Sequence, residues 1–207
     1  MRETKRQPGK PGWRFALYGL VAAVLLSAVV RSLWVDVFYI PSASMEPLFS
    51  VGDRILVSRV EGPARRGDVV VFDGRGSFAP LHSSPLDDVG YWLGMGRDST
   101  YVKRVIGEGG DRVVCCTRDR ITVNGQPLPE PYLYPGDTPS RHGFDVTVPA
   151  GRLWLMGDHR SVSADSRALL GAPGGGMVRV DRVIGKPVQI IWPLDRVLAL
   201  SGTAKAD

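Results

Sequence analysis

Residues 101–128 read YVKRVIGEGGDRVVCCTRDRITVNGQPL, and this stretch decides the fold class. It contains three short runs rich in β-branched side chains, at 101–106, 112–116 and 120–123. Gly and Asp residues separate the runs, as they commonly do at the ends of strands. Asn124 and Gly125 follow the third run, and both tolerate a positive φ. The stretch therefore predicts consecutive short strands, the last of them entering a tight hairpin turn.

The same pattern continues on both sides of this stretch. Further β-branched runs occupy residues 54–58, 68–72, 145–148, 153–156 and 188–192. We find no helical periodicity after residue 40, so the body of the chain is predicted to be mainly β, a twisted antiparallel sheet. Residues 73–100 carry Gly and Pro throughout and predict a long loop insertion, which is usually either functional or disordered.

One apolar segment precedes the β region. Residues 15–30, FALYGLVAAVLLSAVV, contain no charged side chain. A membrane span needs about 20 apolar residues, and the run reaches that length if Arg31 extends toward an interface. A cleaved signal peptide has a shorter apolar core followed by small residues, and a buried helix would show a polar face. We therefore expect a retained transmembrane anchor at residues 15–36.

Charge is concentrated at the start of the chain. Five Lys and Arg side chains against one Glu give residues 1–14 a charge of +4 out of a total of +5. The nearly neutral remainder argues against a nucleic-acid partner, which needs many basic contacts. The positive-inside rule places this tail in the cytoplasm and the chain after about residue 36 outside the cell membrane. The expected domains are a basic tail at 1–14, the anchor at 15–36, an extracytoplasmic domain at 37–195 and a C-terminal tail at 196–207.

Metal and cofactor signals are lacking in the sequence. The three histidines, His82, His142 and His159, show no recognised metal-ligand spacing, and no Gly-rich phosphate loop is present. We expect no metal and no cofactor. Cys115 and Cys116 are adjacent, which leaves three alternatives open: a buried free thiol, a disulfide between neighbours or an intermolecular disulfide.

Two residues stand out as candidates for nucleophilic chemistry. Ser44 lies in PSASMEP, residues 41–47, where two prolines restrict the backbone. A serine hydroxyl reacts only when a base takes its proton, and Lys103 on the strand at 101–106 is one candidate base. Such a lysine is either a charged side chain reaching solvent or a desolvated neutral amine. His159 is the alternative base, and an ordinary serine-rich turn is the alternative reading of residues 41–47.

The chain resembles the bacterial type I signal peptidases, which are membrane-anchored serine–lysine endopeptidases. Four motifs carry the resemblance in family order, after the apolar segment: PSASMEPL at 41–48, RGDVVVF at 66–72, YVKRVIGEGGD at 101–111 and MGDHRSVSADSR at 156–167. It departs from the family pattern at Leu48, where Thr is common, at His159, where Asn is commoner, and at Ser161-Val162, where Asp-Asn is common.

The resemblance implies roles for individual residues. Ser44 would be the nucleophile and Lys103 its general base. Ser42 would complete the oxyanion hole beside the Ser44 backbone N–H, and Ser163 would orient the lysine amine. The side chains expected to wall the substrate pockets are Ile40 and Val102. Ion pairs supporting the site are expected from Arg104, Asp158, Arg160, Asp165 and Arg167.

The implied activity is removal of signal peptides from exported preproteins after Ala-x-Ala-like sites through an acyl-enzyme. Expected partners are these preproteins and membrane lipid. The anchor is expected to contact the lipid, and the active-site face is a second candidate for lipid contact. Two alternatives stay open: a serine–lysine peptidase dedicated to one substrate, and a catalytically inactive membrane-tethered β-domain that serves as a scaffold. The sequence does not indicate an oligomeric state.

Overall fold

The fold is taken from a computed structural model that describes residues 12–80, 99–117, 119–172 and 174–200. Most of the predicted loop insertion at 73–100 lies outside the described residues, as do residues 1–11 of the basic tail and 201–207 of the C-terminal tail. The chain divides into two compact units, residues 1–35 and residues 36–207.

The first unit contains one helix, α1 (Gly12–Leu33). Within the described part of the chain, which omits the side chains at 14 and 27–33, no helix has both the length and the apolar character needed to cross a membrane. The predicted anchor at 15–36 also runs past the helix, because strand β1 (Val35–Tyr39) begins two residues after Leu33. The β-branched Val35 and Val37 favour this change from helix to strand.

The second unit is built from strands and confirms the mainly β prediction. After β1 the strands are β2 (Arg54–Ser58), β3 (Val69–Asp73), β4 (Thr100–Glu108), β5 (Arg112–Thr117), β6 (Arg120–Val123), β7 (Gln126–Pro127), β8 (Phe144–Thr147), β9 (Arg152–Met156), β10 (Val178–Arg179), β11 (Val183–Trp192) and β12 (Leu198–Ala199). Helical structure in the described residues after 40 is limited to three single 3₁₀ turns.

The predicted hairpin turn is present. Asn124 and Gly125 have φ values of 53° and 79°, and Val123 pairs with Gln126 across the turn. Each β-branched run lies within or overlaps a strand, but β11 begins five residues earlier than its run. The two-residue strands β10 and β12 were not predicted, because two residues carry no periodic pattern. Strand β1 was not predicted either, because its first residues were assigned to the anchor.

The strands form two sheets. The larger has the order β1-β2-β11-β3-β4-β9-β10, with β12 paired to β11, and the smaller has the order β7-β6-β5-β8. In the larger sheet, the pairs β2–β11, β11–β3, β3–β4, β4–β9 and β9–β10 are antiparallel. All pairs of the smaller sheet are antiparallel too. Strand β4 lies between β3 and β9, so both of its neighbours shield its central residues from solvent.

The apolar core consists of several clusters. Side chains of the smaller sheet pack around Trp154 and Met156 of β9. A second cluster holds Ile40, Met45, Phe49 and the inner residues of β2. This second cluster fixes the segment that contains the candidate nucleophile.

Cys115 and Cys116 form a disulfide with each other, and the peptide bond between them is cis. Of the three alternatives left open by the sequence, the structure therefore has the disulfide between neighbours. It lies near the end of β5 in the smaller sheet.

Candidate active site

Ser44 lies in a 3₁₀ turn, Ala43–Met45, that the apolar core holds in place. The side chain of Met45 is 1% exposed and packs in the cluster with Ile40 and Phe49. The Phe49 N–H donates to the Met45 carbonyl at 3.0 Å, which continues the turn toward β2. Burial of the neighbouring methionine thus fixes the backbone that presents the Ser44 hydroxyl.

Lys103 comes from the middle of β4 and meets Ser44 inside the domain. It lies opposite Val70 of β3, and its Nζ is 2.6 Å from Ser44 Oγ. Lys103 is 4% exposed and Ser44 is 8% exposed. Residues 59 positions apart in the sequence are therefore in hydrogen-bond contact and shielded from water.

The environment of Lys103 favours the neutral amine. Burial lowers the pKa of Lys103 to about 8, although the nearby carboxylates of Asp165 and Asp158 raise it in part. The charge of Arg167 lowers it further. A lysine with this pKa is partly neutral near pH 7.5 and can accept a proton from a hydroxyl.

Ser42 lies beside the nucleophile. Its hydroxyl donates to Ser44 Oγ at 3.3 Å, and the residue is exposed on its outer side. A second hydroxyl is thus within reach of any atom bonded to Ser44 Oγ.

Ser163 is not hydrogen-bonded to Lys103. Its Oγ is buried and makes no hydrogen bond of ordinary geometry among the described residues, but it lies near enough to the Asp165 carboxylate to lower the pKa of that group. Gly157 lies against it: a Cβ at Gly157 would be 2.5 Å from the Ser44 carbonyl oxygen and closer still to Ser163 Oγ. Gly157 therefore allows the segment after β9 to approach the turn that carries Ser44. The motif MGDHR at 156–160 did not indicate this role for its glycine.

One buried ion pair connects β4 with the segment after β9. Arg104 donates from Nε and Nη2 to the two carboxylate oxygens of Asp158, at 2.8 and 2.6 Å. The Arg104 guanidinium also lies 4.0 Å from the ring centroid of Tyr132. Burial raises the pKa of Asp158 even though Arg104 opposes the shift.

The other three nominated support residues form a connected network. Arg167 binds both carboxylate oxygens of Asp165 at 2.8 Å, and the Gly157 N–H donates to the same carboxylate at 3.0 Å. Burial raises the pKa of Asp165, but the hydrogen bond and charge of Arg167, together with hydrogen bonds from Gly157 and Ser163, outweigh it and leave that pKa below its ordinary value. Arg160 donates to the Gly157 carbonyl at 2.8 Å and to Glu130.

Glu130 is a residue that the sequence did not point to. Its carboxylate is 6% exposed and accepts from Arg160 and from the Tyr132 hydroxyl. It lies in a Pro-rich loop without periodicity, and no spacing relates it to residue 160. Only the folded chain makes the pairing visible.

Ile40 and Val102 lie in the same apolar cluster as Met45. Ile40 is 3% exposed, and Val102 is partly buried at the edge of the cluster. The structure thus brings both nominated pocket residues beside the nucleophile turn.

The geometry makes His159 unsuitable as the base for Ser44. Its backbone N–H, rather than its ring, contacts Ser44, donating to the carbonyl oxygen at 3.2 Å. The ring stacks on Tyr134 with centroids 3.8 Å apart. The base within reach of the Ser44 hydroxyl is therefore the lysine amine, an arrangement suited to acyl transfer through a serine.

Comparisons with known proteins identify the family of this chain. Residues 13–192 match the family model described as signal peptidase, peptidase S26. A probable signal peptidase I from Mycobacterium leprae is 36% identical, over 89% of this chain and 77% of that protein. A signal peptidase I from Mycobacterium tuberculosis is 39% identical, over 85% of this chain and 71% of that protein. A crystal structure of a signal peptidase I from Enterococcus faecalis is similar with a TM-score of 0.41 and 23% identity, covering 60% of this chain and 97% of that chain.

Proposed function

The chain belongs to the signal peptidase family, peptidase S26, a family of serine endopeptidases, and we propose that it removes signal peptides from exported preproteins with Ser44 as nucleophile and Lys103 as general base. The observation that carries this proposal is the 2.6 Å contact between Lys103 Nζ and Ser44 Oγ in a buried site. The lowered pKa of Lys103, about 8, supports the role of the amine as a base.

In the acylation step, Ser44 Oγ attacks the carbonyl carbon of the scissile peptide bond and its proton moves to the neutral Nζ of Lys103. The carbonyl oxygen gains a negative charge, for which the Ser44 backbone N–H and the Ser42 hydroxyl are the proposed donors. When the C–N bond breaks, the Lys103 ammonium returns its proton to the departing amine. The mature protein leaves, and the signal peptide stays bound to Ser44 as an ester.

In the deacylation step, Lys103 accepts a proton from water, which attacks the ester carbonyl. Collapse of this second intermediate releases the signal peptide as a carboxylic acid and returns the proton to Ser44. General base catalysis of this kind contributes about 10²–10⁴-fold to the rate.

Substrate selection is assigned to the apolar cluster beside Ser44. Ile40 and Val102 are proposed to wall shallow pockets that accept small side chains such as Ala. Ser163 is proposed to orient the lysine amine when substrate is bound, and the ion pairs of Arg104 and Arg167 to hold the surrounding backbone.

Residues 15–36 are proposed to anchor the protein in the cell membrane, with the catalytic unit outside. The support is the uncharged run at 15–30 and the basic tail before it, which favours a cytoplasmic N-terminus. An anchored enzyme and a membrane-bound preprotein meet at a raised effective concentration.

The catalytic unit is also proposed to touch lipid. Tyr39, Trp192 and Leu194 are large apolar side chains that are 58%, 50% and 74% exposed. They lie on β1, at the end of β11 and just after it, and β2 is the strand between β1 and β11. Trp192 is opposite Arg54 on β2, and the carbonyl of the preceding Asp53 accepts from the Ile40 N–H at 2.9 Å. This apolar patch, defined by Tyr39, Trp192 and Leu194, therefore adjoins the segment that leads to Ser44.

The test is cleavage of several preproteins with Ala-x-Ala sites by detergent-solubilised wild type, Ser44→Ala and Lys103→Ala. We expect wild type to cut after the small residue and both variants to be inactive while folded. Matched controls are Ser77→Ala and Lys186→Ala. Ser77 bonds to the Gly74 carbonyl, whereas Lys186 bonds to Asp68, and both controls should retain activity.

Different failures of this test have different meanings. Near-full activity of Lys103→Ala would make the lysine structural. Cleavage of one preprotein alone would favour a dedicated processing peptidase. An inactive wild type that also resists a serine-acylating probe would favour the scaffold alternative.

A further inference from the structure

His159 contacts the nucleophile turn at two places. Its backbone N–H donates to the Ser44 carbonyl oxygen at 3.2 Å. Its ring Nδ1 lies 3.7 Å from Oε2 of Glu46, two residues after the nucleophile. The two contacts therefore lie on either side of the buried Met45 that holds the turn.

The ring of His159 is fixed from its other side. It stacks on Tyr134 with an interplanar angle of 8°, and the Tyr134 backbone N–H donates to the Asp158 carbonyl at 3.1 Å. The His159 side chain is 13% exposed, and Nδ1 is buried without a hydrogen-bond partner among the described residues. At 3.7 Å from a carboxylate, Nδ1 is too distant for a hydrogen bond and close enough for an ion pair.

Carboxylates face this ring from two different elements. Glu46 faces it from the nucleophile turn, and Asp137 faces it from the loop after Tyr134. The Ser161 hydroxyl and N–H, together with the charge of His159, hold the pKa of Asp137 below its ordinary value despite partial burial. Glu46 in turn interacts with the charge of Arg196, which is bonded to Asp53. Two carboxylates therefore face the imidazole.

We infer that His159 is a positioning residue of the peptidase reaction, which holds the Ser44 turn through Glu46 more firmly when its imidazole is protonated. The inference rests on the proposed function, but the contact itself does not. A neutral imidazole leaves Nδ1 unpaired, whereas an imidazolium turns the same atom into a cationic donor facing Glu46. The turn that carries Ser44 is then tied to the segment after β9 by a charge pair as well as by one backbone hydrogen bond.

The experiment is a double-variant cycle with the full chain in detergent and an Ala-x-Ala preprotein: wild type, His159→Asn, Glu46→Gln and the double variant. Values of kcat and KM are measured from about pH 5.5 to about pH 9, which spans the titration of an ordinary imidazole. Lys103 titrates in all four proteins, so its contribution cancels in the ratio of wild type to variant.

We expect the ratio of kcat for wild type to kcat for His159→Asn to grow about two- to fivefold from the alkaline to the acid end, as a partly exposed ion pair allows. The same growth is expected for Glu46→Gln, without a further increase in the double variant. KM should stay nearly constant, because the turn positions the nucleophile rather than the substrate. A ratio that does not change with pH would overturn the inference, as would growth in His159→Asn that Glu46→Gln does not share.

A second readout examines the contact without catalysis. The equilibrium constant for unfolding of each variant, relative to wild type, should change over the same pH range by the same two- to fivefold factor. If that factor is present while the kcat ratio is flat, the contact exists and the positioning role is wrong. If wild type cleaves no preprotein, the proposed function fails, and the unfolding cycle alone decides whether the charge pair forms.

Discussion

At the residue scale, Lys103 combines its proposed role as a general base with a cost to the stability of the fold. Its amine is buried between β3 and β9, and burial is the largest cause of its lowered pKa. Asp165 and Asp158 counteract the shift only in part, because each is already bonded to an arginine. The Lys103 amine is therefore half neutral at about pH 8 in the folded protein, whereas it is still protonated at that pH in the unfolded chain.

We predict opposite effects of Lys103→Met on activity and stability. The folded state loses the Lys103 proton near pH 8 and the unfolded chain near pH 10.5, so the wild-type free energy of unfolding rises with pH between these values. Below pH 8, Lys103→Met should therefore be more stable than wild type by up to about 3 kcal/mol. The difference should vanish as the pH rises toward 10.5. Urea denaturation at several pH values measures it.

The matched control is Lys186→Met, which removes a lysine bonded to Asp68. It should keep the preprotein-cleaving activity that Lys103→Met loses. In parallel, kcat/KM of wild type should rise with pH up to about 8 and then level off. A Lys103→Met protein less stable than wild type at neutral pH would contradict the assigned ionisation.

At the element scale, the site is a junction between a turn, a strand and a loop. The Ala43–Met45 turn carries the proposed nucleophile, β4 carries the proposed base, and the segment after β9 makes the surrounding hydrogen bonds. Gly157 is where the third element meets the first, since its missing side chain leaves room for the Ser44 carbonyl. Its N–H and carbonyl are bonded to Asp165 and Arg160. The spacing between these elements is therefore fixed by backbone contact.

We predict that Gly157→Ala separates these elements. The added Cβ would lie 2.5 Å from the Ser44 carbonyl oxygen, so either the turn or the segment must shift. The expected destabilisation is about 1–3 kcal/mol, typical of overpacking, together with a loss of kcat of at least about tenfold from misplacement of the nucleophile. Thermal unfolding and preprotein cleavage measure the two effects.

Gly171→Ala is the control for this change, because an added Cβ there meets nothing within 4 Å. It should leave activity as in wild type. Equal activity of Gly157→Ala and Gly171→Ala would show that the approach at residue 157 is not needed for the reaction.

At the scale of the whole molecule, the buried apolar residues of the described chain all lie at Phe38 or beyond. The unit at 36–207 therefore contains its own core and has the attributes of an independently folding domain. The proposed anchor and the apolar patch of Tyr39, Trp192 and Leu194 would add membrane contact without contributing to that core.

We predict that a chain beginning at residue 36 folds, cleaves a soluble Ala-x-Ala peptide like the full chain, and cleaves a membrane-bound preprotein more slowly. It should still bind lipid vesicles in a sedimentation assay. Trp192→Ser with Leu194→Ser should lower that binding at least about tenfold. The reason is that burial of either side chain in lipid would contribute more than about 1.4 kcal/mol to the free energy of binding. Val60→Ser, which changes a side chain that is 68% exposed outside the patch, is the control. Unchanged vesicle binding by the double variant would refute lipid contact at the patch.

The proposed catalytic pair could be nominated from the sequence, but most of the contacts that support it could not. Ser44 and Lys103 stand in motifs that a resemblance can identify, and the nominated arginines and aspartates do lie together around them. Glu130, Gly157 and the contact between His159 and Glu46 had no local signature. Each depends on a partner 30 or more positions away that belongs to a different loop or turn. Sequence periodicity carries no information about such partners.

By itself the sequence determined the mainly β class, the positions of the longer strands and the hairpin turn at Asn124-Gly125. These features follow from side-chain alternation and backbone preference, which act over a few neighbouring residues. The tertiary structure alone decided that the strands divide into two sheets, that β4 lies between β3 and β9, and that Lys103 meets Ser44 away from water. Strand order and burial depend on which distant segments pair, and the pKa of a lysine depends on the solvent that this pairing excludes.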